Sequence, residues 1–338
     1  MPATSGRLLG RLRAGIAYVR APAGRAAVLR YHRVAEPPLD PWGLAVSPAR
    51  FAEQLEVLRE RFRPLSLRAL AEAISRGAIP RRSVAVTFDD GYRDNLTEAK
   101  PLLERYGVPA TVFVTSGYVA SGRDFWWDEL EEVCLRAPEL PKRVELEVGG
   151  ERLTWDAGGP VVVVPSSWRA WEEPPTPRHA LFRALYDRLE VVAHAPRLAA
   201  LDVLREVTGV ERSGEATTMS AEEIVRLAEG GLVEVGAHTV THPALERLSR
   251  AQQAEEIGKG RSELEALLGR PVTSFSYPHG RYGPETVECV REAGFERACT
   301  NVKAPAALGS PLHEIPRLPA GDRPGEELFA QLASWLRG

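Results

Sequence analysis

The chain has 338 residues, 44% of them hydrophobic, which suffices for a sizeable core in one barrel with an insertion or in two domains. A formal net charge of −3 gives no global pull toward nucleic acid, which is excluded as a partner, or toward an anionic membrane. No run of 18 apolar residues occurs, so no membrane-spanning helix is expected, and Cys134, Cys289 and Cys299, an odd set without CxxC spacing, argue for a reducing compartment over a disulfide framework or a zinc ligand set.

Residues 1–25 form a basic N-terminal segment. Six arginines and no acid precede Tyr31, the continuous apolar stretch of a signal peptide is missing, and Leu8, Leu9, Leu12, Ile16 and Val19 fall on one face of a short helix. Residues 7–20 are therefore a candidate for peripheral contact with an anionic membrane surface, with packing on the protein's own body as the alternative. The expected location is cytoplasmic, reaching the inner membrane only through this segment.

"AAVLRYH" (26–32) reads as a buried strand. "SPARFAEQLEVLRERF" follows as a helix with Ser47 at the N-cap and Pro48 at the first position, and "SLRALAEAISRG" as a second helix closed by Gly77. Strand "SVAVTF", helix "NLTEAKPLLERYG" and strand "PATVFVT" come next. Such alternation implies parallel strands joined by helical crossovers. It breaks between about 117 and 216, a stretch holding five of the seven tryptophans (Trp126, Trp127, Trp155, Trp168, Trp171), a hairpin around "VELEVGGERLTW" and two helical runs, "PRHALFRALYDRLE" and "APRLAALDVLREVTG". This is read as an insertion. Alternation resumes with Ser220 and Glu223 as a capping box, then strand "LVEVGAH", helix "SRAQQAEEIGKGRSELEALLG", strand "VTSFSYP", helix "PETVECVREAG" and strand "FERACT".

Two clusters carry chemistry. "TFDDG" sets Asp89 and Asp90 side by side just past a strand end, where two repelling carboxylates weaken the fold unless something uses them. "AHTVTH" places His238 and His242 four apart, a spacing that puts both imidazoles on one side of a helical turn and by which two histidines commonly share a metal ion. Both clusters lie at the C-terminal ends of parallel strands, the face where barrel enzymes assemble their sites. One carboxylate and two histidines leave coordination positions open, as catalytic metals require, and the second acid stays free as a base.

These motifs resemble those of the polysaccharide deacetylase superfamily, the NodB-homology or carbohydrate esterase family 4 group. "TFDDG" matches its first motif, "HTVTH" its second and "FSYPHG" (275–280), more loosely, its third. The resemblance implies an α/β fold, a distorted (β/α)7 TIM-like barrel over 26–330 with the Trp-rich insertion (about 117–216) inside it. It implies Asp90, His238 and His242 as metal ligands and Asp89 as catalytic base. "LRYHRV" is similar to the opening strand of a branch that includes poly-N-acetylglucosamine deacetylases, which makes His32 the candidate acid and His313, nearer the usual late motif, its rival. Where the third motif usually has a base-orienting arginine stands Ser276, and Arg317 or Arg281 is the candidate to supply that charge from elsewhere. Tyr277, His279, Arg317 and Trp127 are the candidate substrate-binding residues. The implied cofactor is a divalent metal, foremost Zn2+, with Co2+, Ni2+ or Mn2+ also suiting the ligands. The implied activity is removal of N-acetyl groups from an amino sugar in an oligosaccharide, polysaccharide or lipid-linked precursor, in exopolysaccharide biosynthesis. The alternatives are another C–N hydrolase on this scaffold, such as a sugar deformylase or cyclic amidase, or a non-catalytic carbohydrate-binding relative.

Overall fold

The computed structural model describes residues 23–119, 121–137, 139–156, 159–160, 167–212 and 216–337. The basic face expected over residues 7–20 lies outside them. Six strands run parallel in chain order: β1 (Arg25–Tyr31), β2 (Ser83–Phe88), β3 (Ala110–Val114), β4 (Val233–Ala237), β5 (Ser274–Ser276) and β6 (Arg297–Cys299). The ring closes through a broken seventh stave. Ile315 bridges Cys299 in parallel, and β7 (Leu318–Pro319) pairs with Leu29 and Arg30 of β1. This interruption is the distortion of the (β/α)7 barrel.

Parallel strands wrapped by helices are buried on both faces, which is why "SVAVTF" is apolar almost throughout and every residue of it is buried. Alternation along β1 sends Ala27, Leu29 and Tyr31 to the layer beneath the helices and Ala26 and Val28 to the barrel interior. Continued upward, the same parity carries Arg30 and His32 to the mouth.

Helices α1 (Pro48–Arg61), α2 (Leu67–Ser75) and α3 (Lys100–Tyr106) precede the insertion. Within it lie α4 (Trp126–Glu131), α5 (Pro177–Glu190) and α6 (His194–Thr208), and α7 (Ala221–Ala228), α8 (Arg250–Leu268), α9 (Pro284–Glu292) and α10 (Gly325–Arg337) follow. The caps are those the sequence calls for. Ser47 accepts from the Arg50 N–H, and Ser220 with Glu223 closes a capping box. Helix α2 packs with Ala26, Val28, Ala85 and Phe113, plugging the barrel's lower end. Helix α10, outside the elements expected from sequence, seals the seam against α1, with Arg61 paired to Glu326 and Phe329 edge-on to Phe62.

The described residues of the segment around 117–216 pack in a second core, in which Trp126, Phe125, Tyr118, Phe182 and Leu201 are buried together with Tyr92. Its hairpin, Arg143–Val148 against Glu151–Asp156, turns at Gly149 and Gly150, both at positive φ (63° and 84°). Of the five tryptophans, Trp126 is wholly buried, Trp155 and Trp168 pack against this core, Trp171 is 64% exposed, and Trp127 alone reaches the barrel mouth.

Candidate metal centre and active site

Asp90, His238 and His242 meet at the C-terminal mouth. Their ligand atoms lie within 4.8 Å of one another and all three residues are buried. Asp90 Oδ1 stands 3.5 Å from His238 Nε2 and 3.3 Å from His242 Nε2. His238 Nδ1 sits 2.7 Å from the Ser276 carbonyl, which only accepts, so the proton is on Nδ1 and Nε2 faces Asp90 with its lone pair bare. One oxygen and two bare or bareable nitrogens at this spacing fit a divalent transition metal.

The backbone is bent to make this set. Among the described residues five non-glycine residues have left-handed φ, and four are here: Asp90 (75°), Thr239 (66°), His242 (58°) and His279 (58°). Each such conformation costs about 1–3 kcal/mol and persists only where the surroundings enforce it. The enforcers are visible. The His238 N–H donates to the Val114 carbonyl, the Ser116 N–H to the Thr239 carbonyl, and Thr239 Oγ1 accepts from the His242 N–H. Glu256 of α8 accepts from the Val240 and Thr241 N–H groups, both at 2.9 Å, and from the Thr241 hydroxyl at 2.6 Å. The two histidines are thus not on one helical turn, as their spacing predicts. Residues 238–242 form a tight loop, and Pro243 disfavours the helical conformation for His242 before it.

Asp89 is held apart from the ligand set. Arg317 grips it with two bonds of 2.7 Å and also donates to Ser276 Oγ (2.8 Å), Asn301 Oδ1 (3.0 Å), Thr87 Oγ1 (3.2 Å) and the Thr300 carbonyl (2.9 Å). Burial pushes the Asp89 carboxyl up, but the Arg317 charge and hydrogen bonds, with His238, outweigh it and hold the group well below the usual carboxylate range. Arg317 supplies the charge missing at Ser276, and the small serine leaves room for it. Arg281 does not, because it pairs with Glu190 at 3.0 Å.

A cavity of about 210 Å3 opens over the centre, lined among others by His32, Asp89, Asp90, His238, His242, His279 and Trp127. Burial draws the His32 imidazole down to about 4, partly offset by Asp90. His279 packs 4.5 Å from the His242 ring, and burial followed by His242 lowers it well below an ordinary histidine. Trp127 stacks on Phe125, donates to Tyr92 Oη at 2.8 Å and lies 4.9 Å from the His242 ring.

Three of the candidate residues do not line this cavity. His313 is outside the cavity, with Nε2 2.8 Å from the Phe295 carbonyl. Tyr277 is fully buried, its hydroxyl donating to the His313 carbonyl and its ring stacked on Tyr282, so it supports the wall without facing substrate. Arg317 is 1% exposed with its guanidinium spent on Asp89 and its neighbours, which makes it a positioning residue and not a substrate contact. Arg30, Trp42, Tyr186 and Asn301 also line the cavity. Of these only Arg30 had a sequence signal, its position two residues before His32 on one strand face.

A buried Asp–His–His set beside an arginine-braced aspartate, at the C-terminal mouth of a parallel barrel, defines a site of the NodB-homology type. The sequence profile of the polysaccharide deacetylase family matches residues 76–140 and 207–298, which contain both "TFDDG" and "HTVTH". Over those residues the chain carries a polysaccharide deacetylase domain. A poly-beta-1,6-N-acetyl-D-glucosamine N-deacetylase of Escherichia coli (strain K12) is 30% identical over 98 residues, 28% of this chain and 15% of that protein's length. Among solved structures, the Streptococcus pyogenes deacetylase PplD, in complex with acetate, has a TM-score of 0.59 at 18% identity, covering 92% of this chain and 99% of that one. IcaB from Ammonifex degensii has a TM-score of 0.57 at 21% identity, covering 93% and 98%. These likenesses fix the barrel fold.

Proposed function

We propose that the protein is a metal-dependent hydrolase that removes N-acetyl groups from an amino sugar within an oligosaccharide, polysaccharide or lipid-linked precursor. The observation that carries this reading is the division of labour between adjacent acids: Asp90 faces two histidines while Asp89 faces Arg317. Asp90, His238 and His242 would hold the metal, with Zn2+ favoured by the ligand types. When bound, such an ion acidifies water and polarises an acyl oxygen.

The chain's own residues supply the rest. Asp89, ionised and fixed in direction by Arg317, accepts the proton of the attacking water. The His279 backbone N–H is offered to the oxygen on which charge develops. His32 gives a proton to the departing nitrogen from its imidazolium form, because an amide does not expel an unprotonated amine, and the proton that Asp89 takes from water restores the one it gives, so that the step balances. In sum, water divides between acetate and a free amino group. Trp127 and His279 form the wall a sugar ring would meet.

Among the described residues no helix is long and apolar enough to cross a membrane. A cytoplasmic protein touching the inner membrane through residues 7–20 would suit a lipid-linked substrate. The arginines of that segment support this, and unchanged membrane association after deletion of residues 1–25 would remove the support. The activity itself is tested by acetate release from β-1,6-linked N-acetylglucosamine oligomers. Wild type is expected to release acetate and Asp89→Asn to lose at least ~100-fold in rate. Formate from a formamido sugar in place of acetate would transfer the reading to a deformylase.

A further inference from the structure

Arg30 makes no hydrogen bond or ion pair among the described residues. It stands on β1 two residues before His32, is partly buried, and lines the same cavity as Asp89, Asp90 and His279. Its neighbours in the barrel interior are satisfied. Arg317 makes the six bonds described above, and Arg297 donates to Ser274 Oγ, Thr273 Oγ1 and Glu296. The Arg30 guanidinium has no hydrogen bond or ion pair among the described residues, and its Nε is sealed from solvent without an acceptor. Burial, with repulsion from Arg317, draws it down to about 10 against the pull of the Asp89 and Asp90 carboxylates, so it stays cationic at neutral pH. A partly buried cation with a sealed, unpaired N–H is costly, and proteins keep such groups where a ligand completes them.

The charges of the mouth sharpen the point. Arg317 already neutralises Asp89. A divalent ion on Asp90 and two neutral histidines would leave one positive charge there, and Arg30 adds a second that no hydrogen bond or ion pair among the described residues answers. A neutral acetamido sugar would leave that surplus standing. We propose that Arg30 is a specificity-determining residue that binds an anionic substituent, a carboxylate or a phosphate, carried by the acylated sugar close to the amide. This rests on the deacetylase reading of the site.

The test uses the full chain and three acetamido sugars: N-acetylglucosamine, N-acetylmuramic acid and N-acetylglucosamine 1-phosphate. Calorimetric binding to metal-free and zinc-loaded protein is measured beside acetate release, for wild type, Arg30→Gln and Arg30→Lys. One anionic sugar is expected to bind wild type about tenfold or more tighter than the neutral one, the gain of a charge-assisted hydrogen bond. Which of the two it is tells carboxylate from phosphate. That preference should fall about tenfold in Arg30→Gln and return in part in Arg30→Lys. Equal binding of all three sugars by folded wild type, or a preference that survives Arg30→Gln, would overturn the proposal. Failure of the deacetylase reading would look different: no acetate from any sugar, with the Arg30-dependent preference still present in the calorimeter.

Discussion

Replacing Arg317 with alanine would strand Asp89 in the barrel. The wild-type carboxylate is 3% exposed and takes two bonds of 2.7 Å from one guanidinium. Removing one partner of a buried ion pair costs about 3–5 kcal/mol, because the remaining charge keeps its desolvation penalty and loses its compensation. The Ser276, Asn301 and Thr300 oxygens lose their donor as well. The loss must depend on pH, and its sign follows from Asp89. In wild type its pKa lies below the unfolded value of 3.8, so its contribution is present above that value and lost as pH falls through the folded pKa. In Arg317→Ala the opposing effect of burial dominates and raises the folded pKa above the unfolded one, so a penalty appears as pH rises through it. Urea unfolding at several pH values should show a gap of about 3–5 kcal/mol near pH 7 that narrows toward pH 4. Asp89→Asn combined with Arg317→Ala should recover roughly 2 kcal/mol at pH 7 by removing the stranded charge. A gap that does not change with pH, or a double variant no more stable than Arg317→Ala, would refute this account of the pair.

His32→Gln should lower kcat by about 10²–10⁴-fold with zinc content intact, whereas His313→Gln should leave kcat as it is; steady-state kinetics with metal analysis decides between them. Gly260 of α8 lies under the ligand loop, and a Cβ there would come within 2.9 Å of the Thr239 carbonyl carbon and 3.1 Å of its oxygen. Gly260→Ala should therefore cost about 1–3 kcal/mol of stability and weaken zinc binding, read by unfolding and by competition with a chelator.

The site was legible in the sequence where its signal is local. "DDG" after a buried strand and "HTVTH" after another place both clusters on one end of any parallel barrel, and Ser47, Ser220 and Glu223 mark their helices through contacts three residues away. What the sequence hid is long-range or conformational. Arg317 meets Asp89 across 228 residues because the ring closes through β7, and no periodicity announces a closure. Ser276 looked like a lost arginine, yet a small residue there is what admits an arginine from elsewhere. The spacing of His238 and His242 suggested a helical turn, but the left-handed φ of Thr239 and His242, paid for by Glu256 and by neighbouring strands, has no pattern in a single chain. Tyr277 was a candidate substrate contact from its place in the third motif, while its hydroxyl turns inward to a carbonyl. Helix α10 was missed although Leu328, Leu332 and Leu336 recur every four residues along its buried face.

The central claim is that Asp90, His238 and His242 hold a catalytic metal while Asp89 works beside it. Metal content of the purified full chain, measured by elemental analysis for wild type, Asp90→Ala, His238→Ala and Asp89→Asn, tests it most directly when acetate release is followed in the same samples. The account predicts one metal ion per wild-type chain, loss of metal and activity together in the Asp90 and His238 variants, and metal retained without activity in Asp89→Asn. A wild-type protein that takes up no metal after reconstitution, or one whose metal survives the loss of Asp90 and His238, would contradict it.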